Sequence, residues 1–279
     1  MAKYLRLYCC LATIFFLTAA SYSLKAQSFV ASLESHQSLV LSQHFSTFQV
    51  FKLDATKLDA YVKSNAEAPT QLKVGAHDWN LDLTVNKIFA DNYSLRVSTP
   101  QGIVTTYPKY QLAFKGYDLN GGGKVRLTLH GEFLYGYVEE GLERYYIEPL
   151  WYFEPNASRD LFVLYPKSAV KSLGDDACGV THEQIELQHL EDGIGKEIAS
   201  GAESSGCYEV ELAIASDESM SDKYGGAGGA EDHAVGVING VEGDYNGSFT
   251  HDFDFIIVTQ FVSAGPDPWS ASLNAGTLL

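Results

Sequence analysis

Cysteine is scarce: the chain has 279 residues and four cysteines, and two of these, Cys9 and Cys10, fall in its first 26 residues. A small scaffold held together by several disulfides is therefore excluded. Basic residues are also few, 19 against 35 acidic ones, for a formal net charge of −16. That balance opposes nonspecific binding to nucleic acid and repels anionic membrane surfaces, so no nucleic-acid partner is expected. Beyond the N-terminal region no run of eighteen consecutive apolar residues occurs, so no membrane span is expected. There is no internal repeat and no G-x-S-x-G nucleophile elbow. Gly225-Gly226-Ala227-Gly228-Gly229 lacks the G-x-G-x-x-G spacing and any Lys-Ser/Thr for phosphate, and reads as a flexible loop.

What the sequence does contain is enough apolar material, 46% of residues with 13% aromatic, to bury a sizeable core. The first 26 residues stand apart. Lys3 and Arg6 precede an apolar run from Leu7 to Ala20, and Tyr22 to Ala26 form a more polar exit. This is the pattern of a secretory signal peptide, and export to an extracellular or periplasmic compartment is expected. Its removal takes three basic residues and no acidic ones, leaving a formal charge of about −19.

From Gln27 to about Pro166 the pattern is strand-like. Trp79, Leu81 and Leu83 alternate with polar residues, as do Val125, Leu127 and Leu129, and Asp118 to Gly123 reads as a hairpin loop. One short helix is predicted near Leu58 to Lys63. A polar connector rich in Gly and Ser comes next, over 168–206, with a helix candidate at Glu183 to Leu190, and the domain boundary is placed near Gly206. Beyond it, Val210 to Ala215 and Phe253 to Phe261 read as strands. Between them Ala234, Val237, Ile238, Val241 and Tyr245 mark one apolar helical face, weakened by Gly236, Gly240 and Gly243 at about 1 kcal/mol each. Asp267-Pro268-Trp269 resembles a helix entry. The expected fold is α+β overall: an antiparallel β-rich unit (27–206), then an incomplete α/β unit (207–279). The second unit is predicted to leave an exposed sheet edge and an uncovered apolar face.

The eight histidines prompt a search for a metal site. His182-Glu183-Gln184-Ile185-Glu186 approaches H-E-x-x-H but has Glu186 where the second imidazole belongs, so a solvated helix face is expected. His233 and His251 are expected at the surface. Asp252 and Asp254 read as an exposed edge pair. Asn92-Tyr93-Ser94, Asn156-Ala157-Ser158 and Asn246-Gly247-Ser248 match glycosylation sequons.

Several stretches, taken in order, carry a resemblance. Cys178-Gly179-Val180-Thr181-His182 resembles the latency motif closing the propeptides of reprolysin-like (adamalysin/ADAM-type) zinc metallopeptidases. Tyr145-Tyr146-Ile147-Glu148-Pro149-Leu150 is similar to their "Y-x-I-E-P-L" strand, and Val125 to Gly136 to their glycine-bearing hairpin. Val210 to Asp217 resembles the first catalytic-domain strand, and Asp267 to Leu279 the start of a later helix. The resemblance implies a secreted zymogen: a signal peptide (1–26), a propeptide (27–206) and the N-terminal part of a metzincin catalytic domain (207–279). It implies protein or peptide substrates, and a propeptide whose partner is its own catalytic domain. It makes Cys178 a candidate zinc ligand, a cysteine switch whose thiolate fills the position needed by the catalytic water. The alternatives for Cys178 are a disulfide with Cys207 or an idle thiol. Glu211 matches a calcium ligand of some members; otherwise it is a solvated strand carboxylate.

The family's H-E-x-x-H-x-x-G-x-x-H does not occur in these residues, so the chain is expected to be truncated before its zinc helix and inactive. No dibasic cut precedes Cys207; Lys196-Glu197 is a single basic site. The rival expectation is a secreted, non-catalytic protease inhibitor or β-rich binding module.

Overall fold

The computed structural model describes residues 27–65, 68–108, 110–171, 208–249 and 251–267. The signal-peptide segment, the Glu183 to Leu190 helix candidate, the His182 near-motif, Cys178 and Cys207 all lie outside them, as does the helix entry beyond Asp267. The fold is mixed α and β and rich in strands, and it contains two sheets.

The first sheet has ten strands. In spatial order they are β1 (Gln27–Val30), β4 (Thr70–Val74), β5 (His77–Val85), β8 (Ala113–Asp118), β9 (Lys124–His130), β10 (Phe133–Glu140), β11 (Glu143–Pro149), β12 (Leu161–Pro166), β3 (Gln49–Lys52) and β2 (Ser32–Glu34). All its pairs are antiparallel except β1 with β4, which is parallel. One face buries Phe51, Leu72, Trp79, Leu81, Phe114, Leu127 and their neighbours against helix α2 (Ala55–Ser64), whose Leu58 and Val62 point inward. Period-2 alternation in the sequence produces this layer, and full burial of each large side chain contributes about 1.5–3 kcal/mol. Asp54 caps α2 by accepting from Lys57 N at 3.0 Å. The 118–123 hairpin forms as expected: Asp118 accepts from Asn80 N at 2.8 Å and Gly121 N at 3.0 Å, and Gly122 turns at φ 73°. Helix α1 (Leu39–His44) packs Leu41 into a smaller aromatic cluster with Phe45 and Tyr165.

The second sheet is ordered β13 (Tyr208–Ser216), β14 (Phe253–Ser263), β6 (Phe89–Thr99), β7 (Gly102–Thr106). Helix α3 (Glu218–Lys223), capped by Asp217, and helix α4 (Ala227–Ser248) connect β13 to β14, which pair in parallel. The strand–helix–strand order expected after residue 206 is therefore present.

The structure corrects part of the expectation about its surroundings. β13 is an edge strand of its sheet, as expected, but the other edge of the pair is not left exposed: β6, from the N-terminal part of the chain, pairs with β14 in parallel. Nor is the apolar face bare. Helix α4 lies between the sheets, packing Ala230 and Val235 with Ile257, Val262 and Leu95 on one side and meeting β8, β9 and β10 on the other. Asp254 thus lies on a central strand, 3.8 Å from Lys115 Nζ, and not on an edge.

Two further expectations about α4 are corrected. Residues 227–229 of the glycine run form its first turn and not a flexible loop. Its buried side matches the apolar stripe read from the sequence only in part: Ala234 is buried and Ile238 packs against the core, but Val237 and Tyr245 are exposed, while Glu231, Asn239 and Glu242 are buried. Gly236 and Gly243 face β10. A Cβ on Gly236 would lie 2.5 Å from Tyr135 Cδ1, and one on Gly243 2.2 Å from Tyr137 Oη, so bare glycine is what allows this close approach.

Candidate functional site

The polar groups of the described residues concentrate where α4 meets the first sheet. Along β9 the side chains alternate: Val125, Leu127 and Leu129 enter the main core, leaving Arg126, Thr128 and His130 for the α4 side. Glu242 on α4 is 1% exposed in its side chain, and a carboxylate so placed requires partners. It accepts from Asn86 Nδ2 at 2.8 Å and from Phe255 N at 3.3 Å, with Lys115 Nζ at 3.5 Å and Arg126 Nη2 at 3.9 Å. One turn earlier, Asn239 donates to the carbonyls of Leu127 (3.1 Å) and Phe114 (3.3 Å) and accepts from Asn86 at 3.0 Å.

Glu231, near the start of α4, accepts from Tyr93 Oη at 2.7 Å and Tyr110 Oη at 2.5 Å. Burial raises the Glu231 carboxyl above its ordinary range and raises both phenols. The adjacent Asp232 meets His130 Nδ1 at 2.9 and 3.0 Å with its two oxygens. The hydrogen bond to Asp232 raises the His130 imidazole, while burial raises the Asp232 carboxyl. The ring of Tyr110 stacks on His130 at 5.0 Å. At the far end Arg144 bridges Glu139 (2.8 Å) and Asp244 (2.6 Å) while lying 4.0 Å over the Tyr137 ring. Most of these contacts form an anchoring system: Glu231, Asp232, Asn239, Glu242 and Asp244 of α4 each meet a strand or turn from the first 171 residues, and Glu242 also accepts from Phe255 N of β14.

His233 is another correction. It is not a surface residue; its ring stacks on Tyr224 at 3.8 Å and meets Tyr135 and Tyr152 edge-on. Its Nδ1 and the Tyr152 hydroxyl are buried without hydrogen-bond partners, and burial pushes the imidazole down to about 4. His251 lies beside the Tyr208 ring at 5.3 Å.

Of the residues singled out for metals, Cys178 lies outside the described residues. Glu211 is exposed on β13, in a cleft of about 510 Å³ shared with Glu209, Asp254, Lys87, Lys115 and Asn92. A second cleft of about 940 Å³ opens beside Tyr110, Phe89 and Lys63. Among the described residues no group of three or more His, Cys, Asp or Glu side chains is arranged to hold a metal ion. Among them, too, no helix is long and apolar enough to cross a membrane. The sequence reading missed Glu231, Asp232, Glu242, His130 and Asn86 as a group, since their partners lie more than 100 positions apart along the chain. The one available signal was local: four acidic residues, Glu231, Asp232, Glu242 and Asp244, interrupting an otherwise apolar and glycine-rich helix.

No protein-family model matches the chain, and no curated protein matches it.

Proposed function

We propose that this chain is precursor sequence of a secreted reprolysin-like zinc endopeptidase, in which residues 27–206 serve as the pro-region and 207–279 begin the catalytic unit. One observation carries the reading. The parallel β13–α4–β14 unit is held from both sides by the N-terminal residues, with β6 on its sheet edge and the polar face of β8, β9 and β10 against α4. A pro-region that completes the fold of the unit C-terminal to it would make such contacts. The resemblance adds Cys178 as the latency ligand. The described residues supply no donor set for zinc, so the reading assigns them folding and restraint and no catalytic step.

The test uses the full chain as an inhibitor in trans of an active reprolysin-type endopeptidase. Inhibition should weaken at least tenfold in Cys178→Ser and persist in Cys207→Ser. Equal potency of the Cys178→Ser chain, or two cysteines that resist alkylation after denaturation without reductant, would overturn the latency role. The rival reading is a stand-alone secreted inhibitor or binding module using the same thiol. Transcript sequence after the Leu279 codon separates the two: an in-frame H-E-x-x-H supports the precursor and a stop codon supports the inhibitor.

A further inference from the structure

The three sequons are not equivalent in the fold. Asn246 sits in the last turn of α4, and both ends of its amide are engaged by one residue: Nδ2 donates to Phe253 O at 2.9 Å, and Oδ1 accepts from Phe253 N at 2.5 Å. This clasp joins the end of α4 to the start of β14. A two-point clasp of this kind uses the amide hydrogen on the same side as Oδ1. In a glycosylated asparagine the planar secondary amide is trans, like a peptide bond, so the sugar carbon occupies that position. Glycan and clasp therefore exclude one another at Asn246.

Asn92 and Asn156 are placed differently. Asn92 is exposed in β6 where the ladder to β14 is irregular, its partners jumping from Phe89 to Ser94. Its sequon hydroxyl, Ser94 Oγ, meets Thr259 Oγ1 at 3.0 Å across 165 positions, a contact that must wait for β14, whereas the clasp at Asn246 closes over only seven positions. Asn156 is exposed in the turn before β12, with Ser158 directed to Asp160 at 2.6 Å.

We propose that Asn92 and Asn156 are N-glycan acceptors and that Asn246 is not, its sequon being held closed by the fold. In the transfer, Nδ2 forms a bond to the anomeric carbon of a polyprenyl-pyrophosphate-linked oligosaccharide. The glycosyl–oxygen bond breaks, the pyrophosphate leaves with the electron pair, and the amide proton passes to the transferase's base. A glycan at Asn92 would stand in the lining of the cleft that contains Glu209, Glu211 and Asp254.

The proposal rests on the secretory reading, so the experiment has two arms in a eukaryotic secretory host: the full chain with its own residues 1–26, and the chain from Gln27 behind a host leader. Secreted protein is treated with peptide N-glycosidase in ¹⁸O-water and mapped by mass spectrometry. The expected result is ¹⁸O-labelled Asp at 92 and 156 and unmodified Asn at 246. Asn92→Gln and Asn156→Gln should each remove one glycan mass. Ser248→Ala, which destroys the third sequon without touching the clasp, should remove none. Label at 246 in secreted protein, loss of glycan mass in Ser248→Ala, or no label at 92 or at 156 in the host-leader arm would overturn the proposal. The host-leader arm tests the sites even if the native leader fails to export.

Discussion

Glycine to alanine in the same helix should change stability with opposite sign at neighbouring turns. Gly240 is half-buried, and a Cβ there would lie 4.0 Å from Tyr137 Cε1, an ordinary contact. Gly240→Ala should therefore gain the full helix-propensity difference, about 1 kcal/mol. At Gly236 and Gly243 the new methyl would be driven to 2.5 and 2.2 Å from Tyr135 and Tyr137. Both rings are hemmed in: Tyr135 by Tyr152 and His233, Tyr137 by Tyr146 and Arg144. Forcing one carbon into such a site costs about 1–3 kcal/mol, which cancels or exceeds the propensity gain. Gly236→Ala and Gly243→Ala should thus unfold about 1–3 kcal/mol more easily than Gly240→Ala. At about 2–4 °C per kcal/mol for a chain of this size, calorimetry separates them by several degrees. Urea unfolding followed by tryptophan fluorescence should give the same order with an unchanged slope, so that the difference is one of stability. Three variants of equal stability would refute the close approach of α4 to β10 and with it the role assigned to the bare glycines.

Four titrating groups on and around α4 set a pH optimum for stability. His130, raised by its bond to Asp232, contributes stability that is present below about pH 6.5 and fades as pH rises through its elevated value. Glu231 and Asp232, raised by burial, act in the same direction. His233, lowered to about 4, contributes stability above about pH 6.5 that is lost as pH falls through about 4. Urea midpoints measured from pH 3.5 to 8.5 should therefore peak in mildly acidic solution. His130→Gln should flatten the alkaline side and His233→Phe the acid side, and a peak at or above pH 8 would contradict the assignment. Asn239→Leu removes donors to two buried carbonyls and the acceptor of Asn86, and should cost at least about 2 kcal/mol in equilibrium unfolding; a neutral result would mean that water replaces the amide.

The readable parts of the fold were those encoded locally. Trp79, Leu81 and Leu83, or Val125, Leu127 and Leu129, announce strands because their spacing needs no knowledge of the partner. Asp118 to Gly123 announces a hairpin because the turn chemistry lies within six residues. The helix around Ala234 to Tyr245 was legible as a helix but not in its orientation. Hydropathy puts Val237 and Tyr245 inward and Glu231 and Glu242 outward, yet the acids are buried because Tyr93, Tyr110, Asn86 and Arg126 receive them. The pairing of β6 with β14 was likewise hidden, since two strands of suitable pattern carry no record of which distant edge they will meet. His233 looked like a surface residue because nothing local shows that three tyrosines converge on it.

The position of β6 and α4 also bears on how the chain responds to a cut. A protease acting between residues 171 and 208 would sever the backbone without separating the parts. The β6–β14 ladder and the contacts of α4 do not pass through that segment. What the cut changes is the order of the reaction. Two pieces held at the effective concentration of a single chain become a two-component complex, whose lifetime is set by its dissociation rate and whose survival depends on dilution. Such a cut and the release of a piece would therefore be separate events, the second opposed by the β6–β14 ladder and by the buried carboxylates of α4.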